Sequence, residues 1–163
     1  MKELKHILEQ VNPIKIIGDT AIAVNELKLD SRKVEKGDVF FAVKGTTVDG
    51  HFFIPKVTEQ GASVIVCEEI PSELNAAVVY VQVKDARKTS AIMACNFYDH
   101  PSKKIQLVGV TGTNGKTSVA TLLHQIYVQK NHKSGLLSTI VNKINNEEIP
   151  STHTTPDPIA INA

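Results

Sequence analysis

Apolar residues alternate between two rhythms along this chain, and each rhythm predicts a different element. Leu4, Ile7, Leu8 and Val11 recur at helical spacing, and Pro13 closes that first helix. Short strand-like runs follow at Ala21 to Leu27, Val39 to Val43, Val64 to Cys67 and Val78 to Val83. Between the second and third run, Pro55 to Gln60 reads as a helix, with proline near its first position and Gly61 as the stop. Asp85 is the expected N-cap of a helix reaching about Tyr98, with Ala86, Ile92, Met93 and Phe97 on its apolar side. His100-Pro101-Ser102-Lys103-Lys104 is polar and reads as a linker.

A second unit is expected after that linker. Ile105 to Thr111 is nearly continuous in apolar residues, the pattern of a parallel strand covered on both faces. A helix is predicted from Lys116 to about Lys130, with Val119, Leu122, Leu123, Ile126 and Tyr127 on one side. Ser134 to Thr139 reads as another strand, and Val141 to Ile149 as a hairpin centred on Asn145-Asn146. Ser151 to Pro158 is a polar, proline-bearing loop. The fold class predicted is α/β, with a small N-terminal unit over residues 1–100 and an incomplete P-loop-type parallel-sheet unit over 101–163. About 60 residues are marginal as an independent unit, so the expectation is the N-terminal part of a longer protein.

The stretch from Leu107 to Thr117 changes the picture from fold to chemistry. An apolar strand runs into Gly112-Thr113-Asn114-Gly115, and Lys116-Thr117 opens a helix. Glycines let backbone N–H groups turn towards an anion, and the helix start adds unpaired donors and a positive dipole end. Lys116 can reach terminal phosphates, and Thr117 can offer a hydroxyl to Mg²⁺. The spacing is shorter than the general G-x-x-x-x-G-K-[ST] pattern, which needs glycine where Val110 stands. The other reading is a plain strand-to-helix turn rich in Gly and Asn. Nucleoside triphosphate binding is the stronger one.

Composition narrows the classes further. A net charge of +1 and 5% aromatics give no nucleic-acid or membrane footprint and no base-stacking platform. No apolar run approaches the length of a membrane span, and the amphipathic N-terminus is no signal core, so the cytoplasm is the default compartment. Cys67 ends a buried-looking run and Cys95 has no CxxC partner, so reduced thiols are expected. His51, His100 and His153 stand apart from other ligand-type residues, which argues against a histidine metal site. Asp30-Ser31-Arg32 to Ala42 and Gly45 to Phe53 are glycine- and hydroxyl-bearing loops. From spacing alone they read as turns or as ligand loops.

Three separated stretches resemble one family. Asp30-Ser31-Arg32 through Gly37-Asp38-Val39-Phe40, with Asp49-Gly50-His51 through Ile54, is similar to the N-terminal signature of Mur ligases. Gly112 to Thr117 resembles their ATP loop, shortened spacing included, and His153-Thr154-Thr155-Pro156-Asp157 resembles the substrate loop of the MurE branch. The resemblance implies an ATP-dependent ligase of peptidoglycan precursor synthesis. It would add meso-diaminopimelate or L-lysine to UDP-MurNAc-L-Ala-D-Glu through an acyl phosphate. It also implies ATP and Mg²⁺, a UDP-binding N-terminal domain, a monomeric full-length enzyme, and no turnover by these residues alone. By carry-over, Gly112, Thr113, Asn114, Gly115, Lys116, Thr117 and Ser118 hold ATP, with Lys116 and Thr117 catalytic and Thr117 on the metal. Leu29, Ser31 and Thr46-Thr47-Val48 hold the UDP end, and Thr154 and Thr155 hold the muramoyl dipeptide beside His153. Alternatives are the neighbouring MurF branch, which adds D-Ala-D-Ala, and a fragment that only binds the UDP-sugar peptide. A GTP-binding switch is disfavoured because Asn142-Lys143-Ile144-Asn145 lacks the closing aspartate of a guanine reader.

Overall fold

A computed structural model of the chain describes residues 1–45, 48–149 and 156–163. Two compact units appear, one of residues 1–104 with 162–163 and one of residues 105–161.

The first unit opens with β1 (Lys2–Glu3) and α1 (Leu4–Ile7), followed by β2 (Lys15–Ile17), β3 (Ala23–Val24) and β4 (Leu27–Lys28). Then come β5 (Val39–Ala42), α2 (Ile54–Glu59), β6 (Val64–Cys67), β7 (Val79–Gln82) and α3 (Ala86–Phe97). Five strands make one sheet in the order β2-β7-β6-β5-β4. The four from β4 to β7 are parallel, and β2 closes one edge antiparallel to β7. Every residue of β5 and β6 is buried, as expected for strands covered on both faces. Phe40, Ala42, Ile65, Cys67 and Tyr80 pack on one face with Ile54 and Val57 of α2. On the alternate face α3 packs against β5 and α1.

Local chemistry explains the helix ends. Asp85 caps α3 by accepting from the Lys88 N–H at 2.8 Å. The buried side of α3 is Ala86, Thr89, Ser90, Met93 and Ala94. Ile92 and Phe97, expected on that side, are only half-buried. The predicted strand from Ala21 to Leu27 divides: β3 pairs with β1, while β4 joins the main sheet. The first helix spans one turn, with Leu4 and Ile7 fully buried.

The second unit departs most from expectation. It holds α4 (Lys116–Gln129), β8 (Gly135–Leu136), β9 (Asn142–Ile144), β10 (Glu147–Ile149) and most of α5 (Pro158–Asn162). The hairpin around Asn145-Asn146 forms, with Asn145 at φ +54°, and β8 extends it into an antiparallel meander. Residues 105–111 are not a strand. Among the described residues no backbone hydrogen bond joins them to a neighbour, and Leu107 is 70% exposed. The stripe Val119, Leu122, Ile126 and Tyr127 on α4 is exposed rather than packed. The reason is shared: a parallel strand and its covering helix need flanking strands, and the described residues of this unit provide only the antiparallel meander. What α4 buries is His124, whose Nε2–H donates to the Asn145 carbonyl at 2.9 Å while Nδ1 accepts from the Ser134 hydroxyl at 2.9 Å.

Candidate functional site

The first unit carries a cavity of about 610 Å³ at the carboxyl ends of β4 and β5. That is where parallel α/β sheets hold ligands, because the loops leave the strands there. One wall comes from the loop after β4. Asp30 caps a short 3₁₀ turn over Ser31–Lys33 by accepting from the Arg32 N–H at 3.0 Å. The Arg32 guanidinium folds back onto the same carboxylate, Nε to Oδ1 at 2.9 Å and Nη2 to Oδ2 at 2.8 Å. Together these bonds hold the Asp30 carboxyl well below the usual carboxylate range. The turn presents Leu29 and Ser31 to the cavity. Ser31 is itself buried at this wall.

The opposite wall follows β5. Val43, Val48 and Gly50 line it, with Phe53 and the ammonium-bearing Lys56 from the segment leading into α2 and its first turn. Three predicted residues, Leu29, Ser31 and Val48, thus converge on one space although 17 positions separate Ser31 from Val48. Thr46 and Thr47 lie outside the described residues. Sequence reasoning missed Arg32, Phe53 and Lys56 as lining groups. Their only signal was proximity to the two loops, and sheet geometry had to bring those loops together.

The second constellation is the start of α4. Gly112 and Gly115 sit at φ +151° and +77°, a region open to glycine at no steric cost. Gly115 is the N-cap, so the first N–H groups of α4 emerge with no side chain over them. Lys116 folds back, Nζ donating to the Gly112 carbonyl at 2.6 Å and to the Thr113 carbonyl at 3.1 Å. Thr113, Asn114 and Ser118 are exposed and Thr117 is half-buried. The ammonium, the bare helix start and the Thr117 hydroxyl therefore share one end of a helix of 14 residues. That donor set suits a polyphosphate with Mg²⁺, a cation that keeps most of its waters and takes few protein ligands. His153, Thr154 and Thr155 lie outside the described residues.

Two regions of the chain match family models, residues 23–98 the Mur ligase family catalytic domain and residues 110–163 the Mur ligase middle domain. The chain belongs to the Mur ligase family. It is 49% identical over 160 residues to the UDP-N-acetylmuramoyl-L-alanyl-D-glutamate--2,6-diaminopimelate ligase of Bacteroides fragilis, covering 98% of this chain and 33% of that protein. It is 47% identical over 161 residues to the ligase of the same name from Cytophaga hutchinsonii, again covering 98% and 33%. The chain thus spans about a third of the length of these curated relatives. Among solved structures, a UDP-N-acetylmuramoyl-L-alanyl-D-glutamate--2,6-diaminopimelate ligase superposes with a TM-score of 0.70 at 23% identity, over 95% of this chain and 31% of that one. The MurF ligase of Thermotoga maritima in complex with ADP gives a TM-score of 0.51 at 31% identity, over 68% and 24%. Among the described residues no helix is long and apolar enough to cross a membrane.

Proposed function

We propose that this chain serves a cytoplasmic, monomeric MurE-type ligase that joins a diamino acid to UDP-MurNAc-L-Ala-D-Glu at the expense of ATP. The observation that carries the reading is identity of 42–49% to diaminopimelate ligases along nearly the whole chain. In this reading the cavity of the first unit takes the UDP end, with Leu29, Ser31, Thr46, Thr47 and Val48 as its contacts. Phe53 offers an apolar wall, and Lys56 a positive charge for the diphosphate.

At the start of α4, Gly112, Thr113, Asn114, Gly115 and Ser118 frame the ATP phosphates, and Lys116 exchanges its loop carbonyls for phosphate oxygens. Mg²⁺ bound through Thr117 would neutralise charge on those oxygens. The substrate carboxylate attacks the γ-phosphorus, the bond to the β–γ bridging oxygen breaks, and ADP leaves. The diamino acid's amine then attacks the acyl carbon, releasing phosphate and a proton as the amide forms. Such a step asks the protein for positioning and charge rather than covalent help. His153, Thr154 and Thr155 would hold the dipeptide near the reacting carboxylate.

Calorimetry on this chain tests the reading. UDP-MurNAc-L-Ala-D-Glu should bind, and removal of its UDP moiety should abolish binding. No heat with the intact substrate sinks the proposal. The chain given all three substrates should form no amide, and ATP-dependent product would refute the assignment of turnover to residues beyond this third. Preference for the diaminopimelate-bearing tripeptide over the dipeptide would favour the MurF reading.

A further inference from the structure

The cavity wall after β5 is held by a side chain that never reaches the cavity. The His51 imidazole is 15% exposed and has both ring nitrogens engaged. Nε2 accepts two backbone N–H groups, from Glu68 at 3.0 Å and Glu69 at 3.2 Å, directly after β6. A ring nitrogen that receives two donors carries no proton, so the proton sits on Nδ1. Nδ1–H donates to Asp49 Oδ1 at 2.6 Å, and the same oxygen accepts the His51 backbone N–H at 2.9 Å. These bonds keep the Asp49 carboxyl below its ordinary range.

Charges around the ring complete the clasp. Lys44 Nζ donates to Glu69 Oε1 at 2.7 Å and lies 3.7 Å from Glu68 Oε2. The Gly50 N–H donates to the Val43 carbonyl at 2.9 Å, and a Cβ on Gly50 would come within 2.7 Å of the Val43 backbone. His51 therefore ties the two ends of the loop, Val43 and Gly50, to the carboxyl end of β6. Val43, Val48 and Gly50 all line the cavity, and His51 does not.

We propose that His51 is a positioning residue for nucleoside diphosphate binding, holding the cavity's second wall in place in its neutral, Nδ1-protonated form. The proposal rests on the reading of this cavity as the UDP site. Removing the ring frees two N–H groups, leaves Asp49 Oδ1 with only the backbone N–H of residue 51, and lets the wall move.

The test uses this chain, UDP as the probe, and the variants His51→Ala and His51→Gln. Calorimetry should show UDP affinity about tenfold weaker in the alanine variant. The glutamine variant, whose carboxamide oxygen can accept from one of the two N–H groups, should recover part of it. Nitrogen-15 shifts of the wild-type ring should report the Nδ1–H tautomer. Absence of UDP binding by the wild-type chain overturns the cavity reading and this proposal together. Wild-type binding with equal affinity in the alanine variant overturns the proposal alone. Should the alanine variant fail to fold, the tautomer decides without any substitution, because an Nε2-protonated ring is incompatible with the clasp.

Discussion

Two apolar runs of similar composition meet opposite fates here. Val64-Ile65-Val66-Cys67 is entirely buried as the centre of a parallel ladder, with Ile65 at 0% exposure. Ile105 to Val110 carries the same kinds of residue, yet Val108 is 60% exposed and no ladder forms. The difference is not propensity. β6 has β5 on one side and β7 on the other, with α2 and α3 packed over the sheet. Residues 105–111 have no such neighbours among the described residues of their unit. A buried strand is thus a property of its surroundings, and apolar sequence only makes it eligible.

Hydrogen exchange gives the widest contrast. Amides of β5, β6 and β7 should exchange only through global opening, while those of 105–111 exchange near the rate of unstructured peptide. Protection in both regions would erase the comparison. Core truncation comes next. Ile65→Ala should cost about 2–5 kcal/mol in a denaturant titration, and Leu122→Ala on the exposed stripe of α4 should stay within about 0.5 kcal/mol. A cost above about 2 kcal/mol for Leu122→Ala would mean that the stripe is packed in solution. A smaller effect separates the two helix starts. Asp85→Ala should lower stability by about 1 kcal/mol in thermal unfolding, because α3 loses its cap. α4 starts at Gly115 with no side-chain cap to lose.

Acid titration sharpens the picture within the first unit. Asp30 and Asp49 have lowered folded-state values, so their contribution is complete above the ordinary aspartate range and is lost as pH falls through the lower folded values. Asp38 has the opposite sign. Burial pushes its carboxyl up, so its contribution is present at low pH and is lost as pH rises through the raised value. Carboxyl carbon shifts should therefore show Asp38 protonating first as pH falls from neutral, with Asp30 and Asp49 holding out to lower pH. Any other order removes either the cap bonds or the burial. The smallest effect is thiol reactivity at neutral pH. Burial pushes Cys67 up to about 11, so it should label more slowly than the half-buried Cys95.

Much of this was legible before any fold was known. Continuous apolar runs marked β5, β6 and β7, Asp85 marked the start of α3, and Gly115-Lys116-Thr117 marked the start of α4. These signals are local: a cap bonds within three residues, and a glycine sets its own φ. The clasp around His51 had a local trace as well, the Asp-x-His spacing at 49–51 within the family-like stretch, but nothing local shows that the Glu68 and Glu69 N–H groups meet the ring.

What sequence alone determined was eligibility: which segments turn, which helices start where, and which loop can face phosphate. Tertiary structure decided which eligible runs are buried, and it brought Leu29, Ser31 and Val48 to one cavity. It did so because parallel strands place their carboxyl ends side by side however far apart the loops lie in the chain. Packing needs a partner, and no residue carries its partner in its own neighbourhood.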